Sequence, residues 1–206
     1  MNRPLVTVLA ALALGGAAFG QADSFMDKVR AKYLAAADYK ASVECLRTGA
    51  DGSTVVSKGS VEMRRPDRFR IEYEKPSAYL MVFDGKILWV HRPKDRTVTS
   101  TTIRAAPDLL AWFNPYDQLF PARVIDGAPT NGDFQIWLDI AENRDSLREV
   151  KLIVDRKTLL IRGIFATDAA GNAYEYTFTK MKLDAGLKDN RFEFTVPSGS
   201  QLIENF

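Results

Sequence analysis

The chain has 206 residues, enough for one domain with a substantial core and short of two. Hydrophobic residues make up 46% and charged residues 26%, away from the disordered and membrane-spanning extremes. With 28 basic against 26 acidic residues the formal charge is only +2, and with no basic cluster or tail nothing points to nucleic acid.

The opening stretch, MNRPLVTVLAALALGGAAFG, combines Arg3, an apolar run from Leu5 to Ala18 and small residues before Gln21. This is the pattern of a cleaved secretory signal. The run is shorter than the roughly 20 apolar residues that a retained transmembrane helix needs. Ala18 and Gly20 suit a cut after Gly20, and a cut after Ala22 also fits. Residues 1–20 are therefore expected to be removed, leaving 21–206 as a single domain. No cysteine stands at the cut to carry a lipid, so a soluble mature chain is expected. Cys45, the single cysteine, cannot form an internal disulfide, which leaves stability to packing.

Residues 23 to 36 place Phe25, Met26, Val29 and Tyr33 at helical spacing, and Ser24 followed by Asp27 is a weak capping signature. From residue 39 the pattern becomes period two, punctuated by Asp51-Gly52, Asp84-Gly85, Asp126-Gly127, Asn131-Gly132 and Gly171-Asn172. Strands are predicted over 40–47, 54–63, 67–74, 78–83, 86–91, 96–103, 121–125, 133–140, 147–155, 158–166, 173–183 and 191–196. Together they make one large antiparallel sheet, curled or partly closed. The exception is 105–120, where Pro107 and Asp108 suit a helix start and Asn114-Pro115 interrupts the run, so two short helices are predicted.

Alternation assigns faces. Phe69, Ile71 and Tyr73 oppose Arg68, Arg70, Glu72 and Glu74. Phe134, Ile136 and Leu138 alternate with polar partners, as do Val150, Leu152 and Val154. Around Asp84-Gly85 a two-residue turn pairs Val82 with Ile87 and Leu80 with Trp89 on one face. The other face then carries Tyr79, Met81, Phe83, Leu88 and Val90, so each side of this hairpin needs a cover. The available covers are the helix near 24–36 and the pair near 107–120. They either fill the interior or lid a cavity, and patterning leaves both open.

Enzymatic chemistry finds no residues to carry it. His91 is the single histidine, no zinc-binding spacing exists, and no nucleophile-elbow, phosphate-loop or dinucleotide motif occurs. Glu72 and Glu74 lie beside arginines, where a solvated charge ladder is expected. No catalytic residue, metal or cofactor is expected.

Three stretches carry a resemblance. GSVEMRRPDRFRIEYEKP (59–76), FDGKILWVHRP (83–93) and RFEFTVPSG (191–199) occur in order behind the signal and helix. In sequence and spacing they resemble the periplasmic outer-membrane lipoprotein carrier family, LolA. The resemblance implies an α+β fold, mainly β, in which an incomplete antiparallel β-barrel, a curved half-barrel, is covered by lid helices. It implies a carrier that shields lipoprotein acyl chains in a hydrophobic cavity, taking them from an inner-membrane ABC exporter to an outer-membrane receptor. A periplasmic, monomeric protein that binds acylated lipoproteins and no nucleic acid is expected.

Within that frame Arg65, directly before Pro66, matches the arginine that latches the lid by bonding helix carbonyls. Candidate cavity residues are Phe69 at the mouth, with Ile71 and Tyr73, then Leu80, Val82, Ile87 and Trp89 from the next hairpin. Phe134, Ile136, Leu138, Val150, Leu152 and Val154 continue the lining. Phe25, Val29, Leu109, Leu110, Trp112 and Phe113 belong to the lid helices. Arg68 and the pair His91-Arg92 depart from the family pattern and, with Arg64 and Arg65, make the rim basic. That leaves two alternatives: a carrier of another lipid or hydrophobic molecule, with an anionic headgroup tolerated, and a lipoprotein-sensing regulatory module. The sensors that share this half-barrel add a second C-terminal domain, whereas here the chain ends at Phe206.

Overall fold

Period-two alternation carries most of the chain into one sheet. The structure, a computed structural model, describes residues 13–102, 122–139 and 147–205, with side chains from residue 20 onward apart from Leu147. The predicted helices at 107–120, with Leu109, Leu110, Trp112 and Phe113, lie outside the described residues.

Helix α1 (Ala13–Ala35) leads into β1 (Asp38–Thr48), β2 (Thr54–Arg64), β3 (Arg68–Lys75), β4 (Tyr79–Phe83), β5 (Ile87–Arg92) and β6 (Thr97–Thr102). Then follow β7 (Arg123–Thr130), β8 (Asp133–Asp139), β9 (Leu147–Asp155), β10 (Ile161–Asp168), β11 (Ala173–Leu183) and β12 (Gln201–Asn205). The strand order is β12-β6-β5-β4-β3-β2-β1-β11-β10-β9-β8-β7, so the sheet is open and its two outer strands stay apart. Every neighbouring pair is antiparallel except β12 on β6.

Irregularities at Lys40/Ser42, Lys58/Gly59, Val124/Asp126 and Ile161/Gly163 bend the strands as bulges do. At Gly59 the backbones approach so closely that a Cβ would overlap the Glu72 carbonyl oxygen.

Helix α1 lays one stripe on the concave side. Ala22, Met26, Val29 and Tyr33 recur at intervals of four and three and are all buried. Phe25 stacks on Phe134 at 4.6 Å, and Tyr33 Oη accepts the Ile161 N–H at 2.9 Å while donating to Met181 Sδ. Gly127 makes room for the helix, since a Cβ there would lie 2.5 Å from Ala22 Cβ. The helix does not begin at Ser24: Ala17, Ala18 and Ala22 have high helix propensity and carry it upstream to Ala13, so the Ser24–Asp27 pair is internal.

Each predicted strand from 40–47 to 173–183 has a counterpart, but the last, 191–196, does not. Residues 184–200 instead form a strap across the convex face. Asp184 Oδ1 accepts the Ala37 N–H at 2.8 Å, and buried Asp38 accepts the Ala185 and Leu187 N–H groups at 2.6 and 2.8 Å. Arg64 and Arg68 each reach Asp189 at 2.9 Å, and Arg191 grips Glu62 with two bonds of 2.8 and 3.0 Å. Phe192, in a 3-10 turn over Asp189–Phe192, is buried, and Phe194 stacks on Trp89 at 5.4 Å. The stretch that reads as a strand is thus a cover, with its ladder hydrogen bonds replaced by ion pairs and ring contacts.

Candidate functional site: the concave face

Two apolar fields share the inside of the half-barrel. In the first, Phe69 pairs with Phe83 and Ile71 with Met81, and Leu88 extends the row beside Phe83. In the second, Phe134 faces Val154, Ile136 faces Leu152 and Leu138 faces Val150. All of these are buried, and they form one cluster with Met26, Val29 and Tyr33 of the helix. Phe69, Ile71, Phe134, Ile136, Leu138, Val150, Leu152 and Val154 are therefore brought together, with Phe25 and Tyr73 packed against them.

Leu80, Val82, Ile87 and Trp89 are not on this face. The hairpin turn centres on Gly85-Lys86, because Asp84 Oδ1 accepts the N–H groups of Lys86 and Ile87, each at 2.8 Å. Gly85 takes φ = +97°, which suits the first turn position. Phe83 consequently pairs with Leu88, Val82 with Trp89 and Leu80 with His91. Since Val82 lies opposite Arg70 and Leu80 opposite Glu72, this set faces outward, under the strap. The sequence reading grouped the hairpin residues by face correctly but sent the wrong group inside. Met81, Phe83 and Leu88 are the ones it missed; what sends them inward is the β3–β4 register, in which Phe83 is the cross-strand partner of Phe69.

The convex arginines are likewise committed. Arg64 and Arg68 bind Asp189, and Arg70 binds Glu72 at 2.9 Å, so they are not a free basic rim. His91 lies on the same outer face, 6.0 Å from the Phe194 ring.

Arg65 stands in the turn between β2 and β3. Its Nη1 donates to the backbone oxygen of Leu34 in the last turn of α1, and its own N–H donates to Ala37 O at 3.0 Å. On the other side of the helix Arg30 Nη2 donates to Ala122 O at 2.7 Å. Both guanidiniums hold main-chain carbonyls, acceptors that a helix end or strand end leaves unpaired.

The far end of the concavity is aromatic. Tyr73 and Tyr79 stack at 6.5 Å, and Tyr174, Tyr176 and Phe178 form a ladder along β11 with near-parallel rings. Burial pushes the Tyr73 and Tyr176 phenols far up and the Cys45 thiol up as well, so all three remain protonated at neutral pH. Among the described residues no group of side chains could hold a metal ion, and no helix is long and apolar enough to cross a membrane.

These features define a helix-covered half-barrel with an apolar concave surface. Comparison with known proteins agrees: the family model described as "Outer membrane lipoprotein carrier protein LolA" matches residues 45–195. An outer-membrane lipoprotein carrier protein of Chromobacterium violaceum is 30% identical over 214 residues, covering 97% of this chain and 96% of that protein. One from Methylibium petroleiphilum is 30% identical over 169 residues, 76% of this chain and 77% of that protein. The chain belongs to the LolA family of outer-membrane lipoprotein carrier proteins. Among solved structures, an uncharacterized conserved protein from Thermus thermophilus aligns with a TM-score of 0.57 at 12% identity, covering 90% of this chain and 99% of that one. A DUF1329 family protein from Desulfovibrio piger gives 0.51 at 11% identity, over 85% and 97%. At such identities these two share the fold alone.

Proposed function

We propose that this protein carries acylated lipoproteins through the periplasm, shielding their acyl chains on the concave face. It would take them, as a monomer, from an inner-membrane ABC exporter to an outer-membrane receptor. The observation that carries this reading is the apolar field of Phe69, Ile71, Met81, Phe83 and Leu88, in a chain of the lipoprotein carrier family. Each exposed methylene costs about 0.8 kcal/mol in water, so an acyl chain needs such a surface to leave a membrane. Apolar contact without directional bonds also suits a cargo that must be released.

Loading requires the cover to move. Arg65 acts as the latch: its bond to Leu34 O holds the helix end, and water can replace that bond when cargo enters. The signal segment is removed before the protein works, and a cut after Gly20 keeps Ala22, the first residue of the buried helix stripe.

Native mass spectrometry of the protein purified from periplasm, with lipid extraction, tests the proposal. Co-purified acylated lipoprotein is expected. An empty protein that also fails to bind an apolar dye would remove it.

A further inference from the structure

Beyond the apolar field, where β3 turns into β4 and β5 into β6, a groove of about 340 Å³ opens between two loops. Ser57, Tyr73 and Tyr79 line its floor, and Arg92, Lys94 and Asp95 stand on its rim. Tyr73 pairs with Tyr79, on the face that carries Ile71 and Phe69, so the groove floor continues the concave surface.

Arg92 differs from the arginines of the convex face. Arg64, Arg68, Arg70 and Arg191 are each paired to a carboxylate, whereas Arg92 pairs with no carboxylate among the described residues. Its guanidinium sits 5.3 Å from the centre of the Tyr79 ring, which orients the planar fork, and no hydrogen bond spends its N–H edge among the described residues. The loop that carries it is also fixed. Arg96 N–H bonds Pro93 O at 3.2 Å, and Gln201 N–H of β12 bonds Arg96 O at 2.8 Å. Two cations against one carboxylate, above tyrosine faces that adjoin the apolar field of the concave side, make an amphipathic site.

We propose that this groove binds the phosphate-bearing headgroup of an acyl lipid whose chain lies along Tyr73, Ile71 and Phe69. Arg92 supplies a two-pronged donor for phosphate oxygens, Lys94 a second positive charge, and the tyrosine rings seat the glycerol carbons. The inference rests on the reading of the concave face as an acyl-chain surface. It adds an anionic phospholipid to the ligands of a protein otherwise read as a lipoprotein carrier.

Three probes at concentrations below micelle formation separate the possibilities: lysophosphatidylglycerol, with chain and phosphate; monoolein, with chain alone; and glycerol 3-phosphate, with phosphate alone. Titration calorimetry of the mature protein and of the double variant Arg92→Gln/Lys94→Gln reads the affinities. The double variant is expected to bind lysophosphatidylglycerol about tenfold more weakly, with monoolein unchanged and the difference shrinking in high salt. Equal binding of lysophosphatidylglycerol by both proteins, with monoolein still bound, would overturn the headgroup site and leave the acyl surface standing. Glycerol 3-phosphate binding as tightly as lysophosphatidylglycerol would make the groove a free-phosphate site and overturn the lipid assignment. If neither chain-bearing probe binds, the acyl surface fails and this inference falls with it.

Discussion

Arg65 donates a guanidinium N–H to the backbone oxygen of Leu34, 31 residues earlier, so the turn after β2 is tied to the last turn of α1. A cation on a helix C-terminal carbonyl is favourable both as a hydrogen bond and toward the helix dipole. Replacing Arg65 by Leu removes both. The variant is expected to stay folded, bind an apolar dye more readily and show faster amide exchange in the last turn of α1. Wild-type dye binding and exchange together would strip Arg65 of its latch role.

Asp38 is buried and spends its carboxylate on two main-chain donors of the strap, Ala185 and Leu187. Asp38→Ala leaves both N–H groups without that acceptor and is expected to cost about 3 kcal/mol in urea unfolding. Asp38→Asn keeps one acceptor oxygen and should lose less. A change in the Ala variant below about 0.5 kcal/mol would mean the strap is held elsewhere.

Phe192 is as deeply buried as the core residues of the concave face, yet it belongs to the strap. Truncation to Ala is expected to cost about 3 kcal/mol. Phe194→Leu, beside Trp89, should cost less but alter the indole fluorescence. If Phe192→Ala unfolds at the wild-type urea midpoint, the strap is not part of the cooperative fold.

Three turn carboxylates link stability to acid. Hydrogen bonds from Ser53 hold Asp51, and those from Thr158 hold Asp155, below their ordinary value of 3.8. At Asp168 burial pushes upward, but bonds from Asn172 and Tyr174 outweigh it and the net direction is also down. Because each folded value lies below the unfolded one, the stabilisation is complete well above pH 3.8 and fades as pH falls through the lower folded values. Asp168→Asn should therefore be less stable than wild type at pH 7, with the gap closing in stronger acid. A gap that does not vary with pH would contradict this linkage.

Ala22 lies fully buried where α1 meets Gly127. Intact-mass measurement of the exported protein is expected to show an N-terminus at Gln21. A start at Asp23 would remove the first residue of the buried stripe and weaken the contact with β7.

Strands and their faces were legible because alternation and turn residues act locally. Phe134, Ile136 and Leu138 point inward in the structure as their spacing predicts. Register was not legible in the same way. Moving the turn from Asp84-Gly85 to Gly85-Lys86 changes every cross-strand partner by two, and that choice belongs to the Asp84 carboxylate. Which face turns inward depended on β3, through the pairing of Phe69 with Phe83. The strap was hidden for another reason: Phe192, Phe194 and Val196 alternate as a strand does, and only the Arg191–Glu62 pair and the stack on Trp89 distinguish a cover from a ladder. Tyr79 and Arg92 were visible as residues, but their approach across neighbouring strands was not.

The order in which parts arrive follows from the strap and the sheet centre. β1 finds its partner in β11, with Tyr39 beside Leu183, and Trp89 on the outer face of β5 is covered by Phe194 of the strap. A chain that emerges with its N-terminus leading has no partner for one edge of β1 until residue 173 has emerged. It has no lid for Trp89 until after residue 190. Long-range closure of this kind is slow, so the sheet centre and the cover over Trp89 are completed last. The topology that joins β1 to β11 across the middle of the sheet thus also delays closure of the apolar concave face until nearly the whole chain is available.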